Sequence, residues 1–208
     1  MHNYIIMKKI FIVAAALLCL TGTAVAQEHV EYRWHGAYLV GDVSYGFNLN
    51  RSMDEYDTIA TTLNAIMPGL SLGYQIRKET GVGVGFNYVA DPTGAYTQLP
   101  VFVELRSHFM RSRLTPYAVV QAGYTLPLGA SSVADPVSTK IEEGGLYFGL
   151  EVGARYAINR SVAVAGHVGY RLLQSNLVSR SDLHEHPILS VPITLHVLAI
   201  GASVYFSN

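Results

Sequence analysis

Apolar and polar residues alternate with a period of two along much of the chain, and this pattern constrains the fold more than any other feature. In the segment 146–156 every even position is apolar, whereas the odd positions hold Tyr147, Gly149, Glu151, Gly153 and Arg155. Successive side chains of a β-strand point to opposite faces. The segment is therefore predicted to be a strand with one apolar face and one face of glycine and charge. A soluble sheet buries its apolar face and exposes a polar one, which is seldom studded with glycine.

Seven further segments repeat the alternation, which brings the number of predicted strands to eight. They are 37–47, 70–77, 82–88, 99–108, 118–124, 164–171 and 198–206. The phase of the last strand is unclear upstream of Leu198, where Ile193, Leu195 and Val197 have the wrong parity. A β-bulge in that stretch would reconcile the two parts.

The connections between these strands alternate between short and long. They are short at 78–80, 110–113 and 159–160, of medium length at 91–96, and long at 48–67, 127–143 and 174–189. Such alternation and an even strand count are typical of outer-membrane barrels, which have short periplasmic turns and long external loops.

The composition agrees with a barrel whose apolar face contacts lipid. Hydrophobic residues make up 50% of the chain and charged residues only 14%, against about 25% charged in an ordinary soluble domain. In hydrocarbon a sheet survives only if it closes on itself, because every backbone polar group needs a partner. The sequence thus predicts an all-β protein, an eight-stranded antiparallel up-and-down transmembrane barrel over residues 27–208. The competing interpretation is a soluble lipocalin-like barrel or sandwich.

The N-terminus is predicted to be a secretory signal peptide, residues 1–26. Lys8 and Lys9 precede an apolar run over 10–20, and Ala24 and Ala26 form a small-x-small site for cleavage after Ala26. A lipoprotein signal that uses Cys19 is the disfavoured alternative. After cleavage the chain has no cysteine, and 12 Lys and Arg stand against 15 Asp and Glu, a formal charge of −3. This lack of basic excess argues against a nucleic-acid partner.

The polar face of the strands defines a candidate lumen network. It comprises Asp42, Gln75, Asn87, Glu104, Arg106, His108, Gln121, Glu151, Arg155, His167 and Arg171. Because the lumen of an eight-stranded barrel is just wide enough to be filled by side chains, these groups are expected to plug it through ion pairs and hydrogen bonds. The alternative is a narrow conductance, although a selective pore more often carries an excess of one sign of charge.

Aromatic residues recur near the strand ends on the apolar face and are predicted to form the interfacial girdles of the barrel. They are Tyr45, Tyr74, Tyr88, Tyr124, Tyr156, Tyr170 and Phe206.

With its signal peptide, eight alternating strands, Gly-Tyr repeats and terminal aromatic, the chain resembles the eight-stranded outer-membrane β-barrel proteins. That group includes the OmpA transmembrane domain, OmpX and the opacity proteins, and is often termed the porin family. The resemblance implies a monomer in outer-membrane lipid and lipopolysaccharide, without a cofactor. It also implies a non-enzymatic structural or surface-interaction role, through loops that meet an extracellular ligand or a host surface. A small passive channel is the second hypothesis.

A lipid-A-modifying enzyme is the third hypothesis. Lipid-A deacylases resemble this fold and use a His-x-Ser motif, but none of His108, His167 and His196 is followed by serine two residues later.

One loop contains a weak candidate for metal binding. His184 and His186 lie with two carboxylates within residues 182–186, a set that could bind a transition metal. A solvated polar loop tip is the favoured explanation of the same residues, and no second ligand cluster supports the metal.

Overall fold

The computed structural model describes residues 36–49, 64–77, 79–90, 97–110, 112–128, 131–134, 137–181 and 189–207. These residues form ten strands: β1 (Gly36–Asn48), β2 (Ala65–Gln75), β3 (Thr80–Asn87), β4 (Val89–Ala90), β5 (Thr97–His108), β6 (Leu114–Pro127), β7 (Ser131–Ala134), β8 (Val137–Ala157), β9 (Val162–Ser181) and β10 (Leu189–Ser207). No helix in the described part of the chain is long and apolar enough to cross a membrane. The predicted signal peptide lies outside the described residues.

The strands close into an eight-stranded antiparallel barrel, as the sequence predicts. The first strand closes the sheet because β1 pairs with β2 on one side and with β10 on the other. Strands β3 and β4 are one barrel strand, since Gly69 pairs with Asn87 and Ile66 with Ala90 in the same register. The interruption falls at Tyr88, whose N–H donates to Pro68 O at 2.7 Å, while Pro68 has no N–H to return a bond.

Strands β8, β9 and β10 extend beyond the rest of the barrel at the loop end. They contain 21, 20 and 19 residues, whereas a tilted strand crosses a bilayer with about 9–11. The pairing of β6 with β8 stops at Thr125 and Gly145, but β8 continues against β9 and, at its tip, against β7. The predicted long loops 127–143 and 174–189 are therefore partly wrong, because residues 137–143 and 174–181 are strand.

The predicted bulge upstream of Leu198 is also wrong. Pairing of β10 with β9 runs without a register shift from Leu189 to Phe206, and Leu195 and Val197 are buried inside the barrel. Their parity conflicts with that of Leu198 only if every apolar side chain faces outward, and these two face inward. Register shifts occur instead in β8 opposite β9, between Ile141 and Glu143 and between Gly144 and Tyr147.

The apolar face of the strands points out of the barrel, where large side chains such as Leu72, Val84 and Val103 are more than half exposed. The inner face is packed, and its glycines make room for large rings. A Cβ on Gly73 would lie 2.3 Å from the Tyr38 ring, and one on Gly201 would lie 2.6 Å from His167 Nε2. The glycine on the polar face of the sequence pattern is thus explained by close packing inside the lumen.

Candidate functional site

The interior of the barrel is filled by two apolar clusters with a polar network between and beside them. The cluster toward the loop end consists of Ala65, Met67, Val89, Phe102, Tyr147, Leu173, Leu195, Val197 and Ala199. The cluster toward the short-turn end consists of Tyr38, Val40, Tyr117, Val119, Ala163, Ala165 and Tyr205. The lumen is therefore mixed in character rather than lined by polar groups alone.

Glu104 and Arg106 form a buried ion pair on β5. Their side chains point into the lumen from alternate positions of one strand, and Arg106 Nη2 lies 3.1 Å from Glu104 Oε2. The hydroxyls of Tyr38 and Ser71 donate to Glu104 Oε1 at 3.1 and 3.3 Å. Glu104 and Arg106 are both buried, with side-chain exposures of 0% and 4%, so the charges are compensated within the protein, as buried charges must be.

Aromatic rings surround the guanidinium of Arg106. Its Cζ lies 5.9 Å from the ring centroid of Tyr38, 5.6 Å from that of Tyr117 and 5.1 Å from that of Tyr205. Arg106 Nη1 also donates to the hydroxyl of Tyr205. Such cation–π contacts strengthen when water is excluded, so the ion pair and the three rings hold one another in place.

A second charged group joins β1, β8 and β9. His167 Nε2 lies 3.3 Å from Asp42 Oδ1, and Arg171 Nη2 lies 3.5 Å from Asp42 Oδ2. Glu151 approaches the same two side chains, at 3.9 Å from His167 Nδ1 and 4.0 Å from Arg171 Nη2. The Tyr117 hydroxyl donates to Glu151 at 3.3 Å and so links this group to the tyrosines around Arg106.

The other predicted lumen residues form smaller contacts. Arg155 Nη1 lies 3.1 Å from His108 Nε2. Asn87 donates to the Tyr147 hydroxyl at 3.2 Å, and that hydroxyl donates to Gln121 at 2.8 Å. The remaining predicted residue, Gln75, is only half-buried near the end of β2.

Four inward tyrosines that were not among the predicted lumen residues complete this network. Tyr38, Tyr117, Tyr147 and Tyr205 are all buried, and each donates to or contacts a charged or amide side chain. They share strand parity with Asp42, Val119, Glu151 and Ser203 respectively. That parity was the available signal, and it places Tyr147 and Tyr205 on the polar face of their predicted strands. The predicted network, however, comprised only charged, amide and imidazole side chains.

The packed lumen leaves little free volume. The central cavity, between Asp42, Ser71, Glu104 and Arg171, measures about 20 Å³, and a single water needs about 10–15 Å³. At this level of the lumen the described side chains therefore leave room for about one water molecule.

Ser203, His167 and Asp42 come together in a way that the sequence analysis did not anticipate. Ser203 Oγ lies 3.3 Å from His167 Nδ1, and His167 Nε2 lies 3.3 Å from Asp42, so the residue types of a hydrolytic triad are in contact. However, Ser203 Oγ also donates to Asp42 Oδ1 at 3.0 Å. That bond directs the hydroxyl proton to the carboxylate, and the cavity beside it has no room for an acyl substrate.

In the described part of the chain, no three His, Cys, Asp or Glu side chains are grouped as a metal site would require. The weak candidates His184 and His186 lie outside the described residues.

The predicted girdle residues all lie on the outer face. Six of them are exposed, and Tyr170 is half-buried with its hydroxyl hydrogen-bonded to His196 Nδ1. Toward the short turns lie Tyr74, Tyr156 and Phe206, and toward the loop end lie Tyr45, Tyr88 and Tyr124. Tyr170 lies between these two groups, where it pairs with Leu150. Tyr170 is in the middle of β9 rather than at its end, because β9 is longer than predicted.

A closed eight-stranded barrel with an apolar outer face and a packed lumen defines the class of outer-membrane β-barrels. The sequence agrees, because it matches the outer membrane protein beta-barrel domain over residues 13–206, and the chain belongs to that family. The chain is accordingly an outer-membrane protein. None of the curated proteins matches its sequence significantly.

Solved structures similar to this chain include outer-membrane proteins. Neisserial surface protein A is 14% identical, with a TM-score of 0.59 over 83% of this chain and 97% of that one. OprG of Pseudomonas aeruginosa is 15% identical, with a TM-score of 0.54 over 83% of this chain and 97% of that one. AlkL, solved in lipid bilayers, is 16% identical, with a TM-score of 0.53 over 89% and 96%. At these identities the likeness concerns the fold.

Proposed function

We propose that this protein is a non-enzymatic, non-conducting outer-membrane barrel, which acts in a structural or surface-interaction role through its loop end. The observation that supports the proposal is the packed lumen, in which two apolar clusters and two groups of paired charges leave a central cavity of about 20 Å³. A barrel that conducts solutes needs a continuous aqueous lumen.

The loop end supports a role in recognition. Strands β8, β9 and β10, with the short β7, form a sheet that projects beyond the pairing of the other strands. Loops held on a rigid scaffold are the usual place for binding residues. Outer-membrane barrels place their long loops outside the cell, so this projecting sheet and the segments around it would meet an extracellular ligand or a host surface.

Conductance across a planar lipid bilayer tests the packed lumen against the channel hypothesis. Pure wild-type protein is expected to give no reproducible unit currents, since the charges in the lumen are paired. Reproducible wild-type currents whose size changes in Glu151→Ala or Arg155→Ala would overturn the proposal in favour of a small passive channel. Electrophoresis of boiled and unboiled samples verifies that each variant is folded.

Incubation of the pure protein with lipid A tests the enzyme hypothesis. No hydrolysis is expected, because the Ser203 hydroxyl donates to Asp42 in a cavity too small for substrate. Release of fatty acid that disappears in His167→Ala would contradict the proposed non-enzymatic role.

A loop-trimmed chain separates the structural role from surface interaction. Residues 51–63 and 182–188 would each be replaced by a short glycine-serine turn, and cells that express this chain or the wild type would be compared in two assays. A surface role predicts that cells with the loop-trimmed chain adhere less to an epithelial monolayer than cells with the wild type. A structural role predicts that cells in which the gene is deleted leak more of a periplasmic enzyme than cells with the wild type. If neither readout differs from that of the vector control, the proposed role is wrong.

A further inference from the structure

The two ends of the barrel carry opposite charge. Each short connection contains an arginine in the described residues: Arg77 between β2 and β3, Arg113 between β5 and β6, and Arg160 between β8 and β9. By sequence, Lys78 and Arg111 lie in the same connections, and Glu79 is their only acid. Five basic residues against one acid give these three connections a formal charge of +4. By sequence, the segment 27–35 before β1 adds Glu28, Glu31 and Arg33, so the total for the turn end is +3.

The loop end is acidic. Its connections and projecting strands contain three basic residues against nine acids, a formal charge of −6: Arg51, Lys140 and Arg180 against Asp54, Glu55, Asp57, Asp91, Asp135, Glu142, Glu143, Asp182 and Glu185. The lumen is neutral, with three acids and three arginines. The charge that distinguishes the ends thus lies outside the membrane-spanning part of the chain.

The turn-end arginines lie next to the aromatic girdle. The guanidinium of Arg113 is 4.9 Å from the ring centroid of Tyr156, and Arg113 Nε donates to Ala157 O at 3.2 Å, which holds the side chain over the ring. Tyr156 is exposed on the outer face. Because interfacial tyrosines lie at the level of the lipid headgroups, Arg113 is at the depth of the phosphates.

The turns that carry the other two arginines are ordered by backbone hydrogen bonds. Arg77 N donates to Thr80 O at 3.0 Å, and Ile158 N donates to Val162 O at 3.0 Å. Both arginines are exposed, and the neighbouring Ile76 and Ile158 are about half exposed. In these turns an exposed cationic side chain therefore lies directly beside an apolar side chain that faces lipid.

We propose that the turn end is a binding surface for anionic phospholipid headgroups of the adjoining leaflet, with Arg77, Arg113 and Arg160 as phosphate-binding residues. Guanidinium groups pair with phosphate oxygens through two parallel hydrogen bonds. The acidic loop end repels the same lipids. The two ends together therefore favour one orientation of the barrel, with the turn end in the leaflet that contains anionic phospholipid.

Lipid selectivity measured with spin-labelled phospholipids tests this proposal. The folded protein is placed in phosphatidylcholine bilayers with spin-labelled phosphatidylglycerol or phosphatidylcholine, and the motionally restricted fraction gives their relative association constant. Wild type should favour phosphatidylglycerol by about two- to threefold, averaged over lipids at both ends. The preference should decrease in high salt, because exposed charges are screened.

Two matched triple variants assign the preference to one end. Arg77→Gln, Arg113→Gln and Arg160→Gln together should bring the ratio to one, whereas Arg51→Gln, Lys140→Gln and Arg180→Gln together should leave it unchanged or raised. The double variant Arg77→Gln, Arg160→Gln serves if loss of the Arg113 contacts prevents folding, and it should lower the ratio. Equal association of both lipids with wild type would overturn the proposal, as would a preference that survives the turn-end substitutions.

Discussion

An arginine placed at Leu150 tests whether the outer face contacts lipid, because the structure places this side chain near the middle of the bilayer. Leu150 points outward from β8, where it pairs with Val120 and Tyr170, and it is 45% exposed. Six residues separate it from Tyr156 in the turn-side girdle. At about 3.3 Å per residue and a tilt of about 40°, they span about 15 Å along the membrane normal.

That depth determines the magnitude of the effect. The apolar band of an outer-membrane barrel is about 25 Å tall, so its midplane lies about 12 Å from either girdle. Leu150→Arg should therefore lower the free energy of unfolding by about 2–4 kcal/mol. Leu146 lies ten residues from Tyr156, about 25 Å away and thus at the opposite edge of the band. Leu146→Arg should cost only about 0–1 kcal/mol.

Equilibrium urea unfolding in lipid vesicles, followed by the electrophoretic shift on boiling, measures both variants against wild type. The reasoning depends on the difference between two chemically identical substitutions on one strand. If Leu150→Arg is neutral, or if Leu146→Arg costs as much, the assigned depth or the outward direction of these side chains is wrong.

Three further predictions concern the packing of the lumen and its contrast with the outer face, and they can be measured by the same unfolding assay. Glu104→Gln should cost about 3 kcal/mol, because it leaves Arg106 buried without its counter-charge, whereas Glu143→Gln, at an exposed position, should change stability by less than about 0.5 kcal/mol. Equal effects would mean that the Glu104–Arg106 pair is not buried. Gly123→Ala should cost about 1–3 kcal/mol, because its Cβ would lie 2.0 Å from Val101 O. Gly41→Ala should be nearly neutral, because its Cβ would have no atom within 4 Å; a large loss there would contradict the described inner and outer faces.

Alternation was sufficient to predict the barrel, because lipid outside and a packed lumen inside impose different residue types on the two faces of each strand. It failed where that contrast disappears. In 137–143 and 174–181 the strands have left the membrane, so neither face needs to be apolar and the pattern resembles that of a loop. At Leu195 and Val197 the inner face is itself apolar, and parity alone suggested a bulge.

The lumen residues were predictable one by one, but their partners were not. Strand parity placed Asp42 and His167 inside, yet the contact of Asp42 with Ser203 depends on closure of β1 against β10, which joins residues 161 positions apart. The tyrosines around Arg106 were missed for a related reason. A tyrosine suits both the lipid interface and a buried network, and parity alone does not say which hydroxyls find a charged partner.

The most direct test of the packed lumen is the reactivity of single cysteines. The only native cysteine is Cys19, so the predicted mature chain offers a background without thiols. Ser203→Cys and Ser71→Cys place thiols at buried positions in the lumen, and Ser161→Cys places one in an exposed turn. In lipid nanodiscs, a small charged methanethiosulfonate should modify the turn cysteine fully while both lumen cysteines stay unmodified. Modification of the lumen cysteines at a rate comparable to that of Ser161→Cys would show an open aqueous lumen and contradict the account.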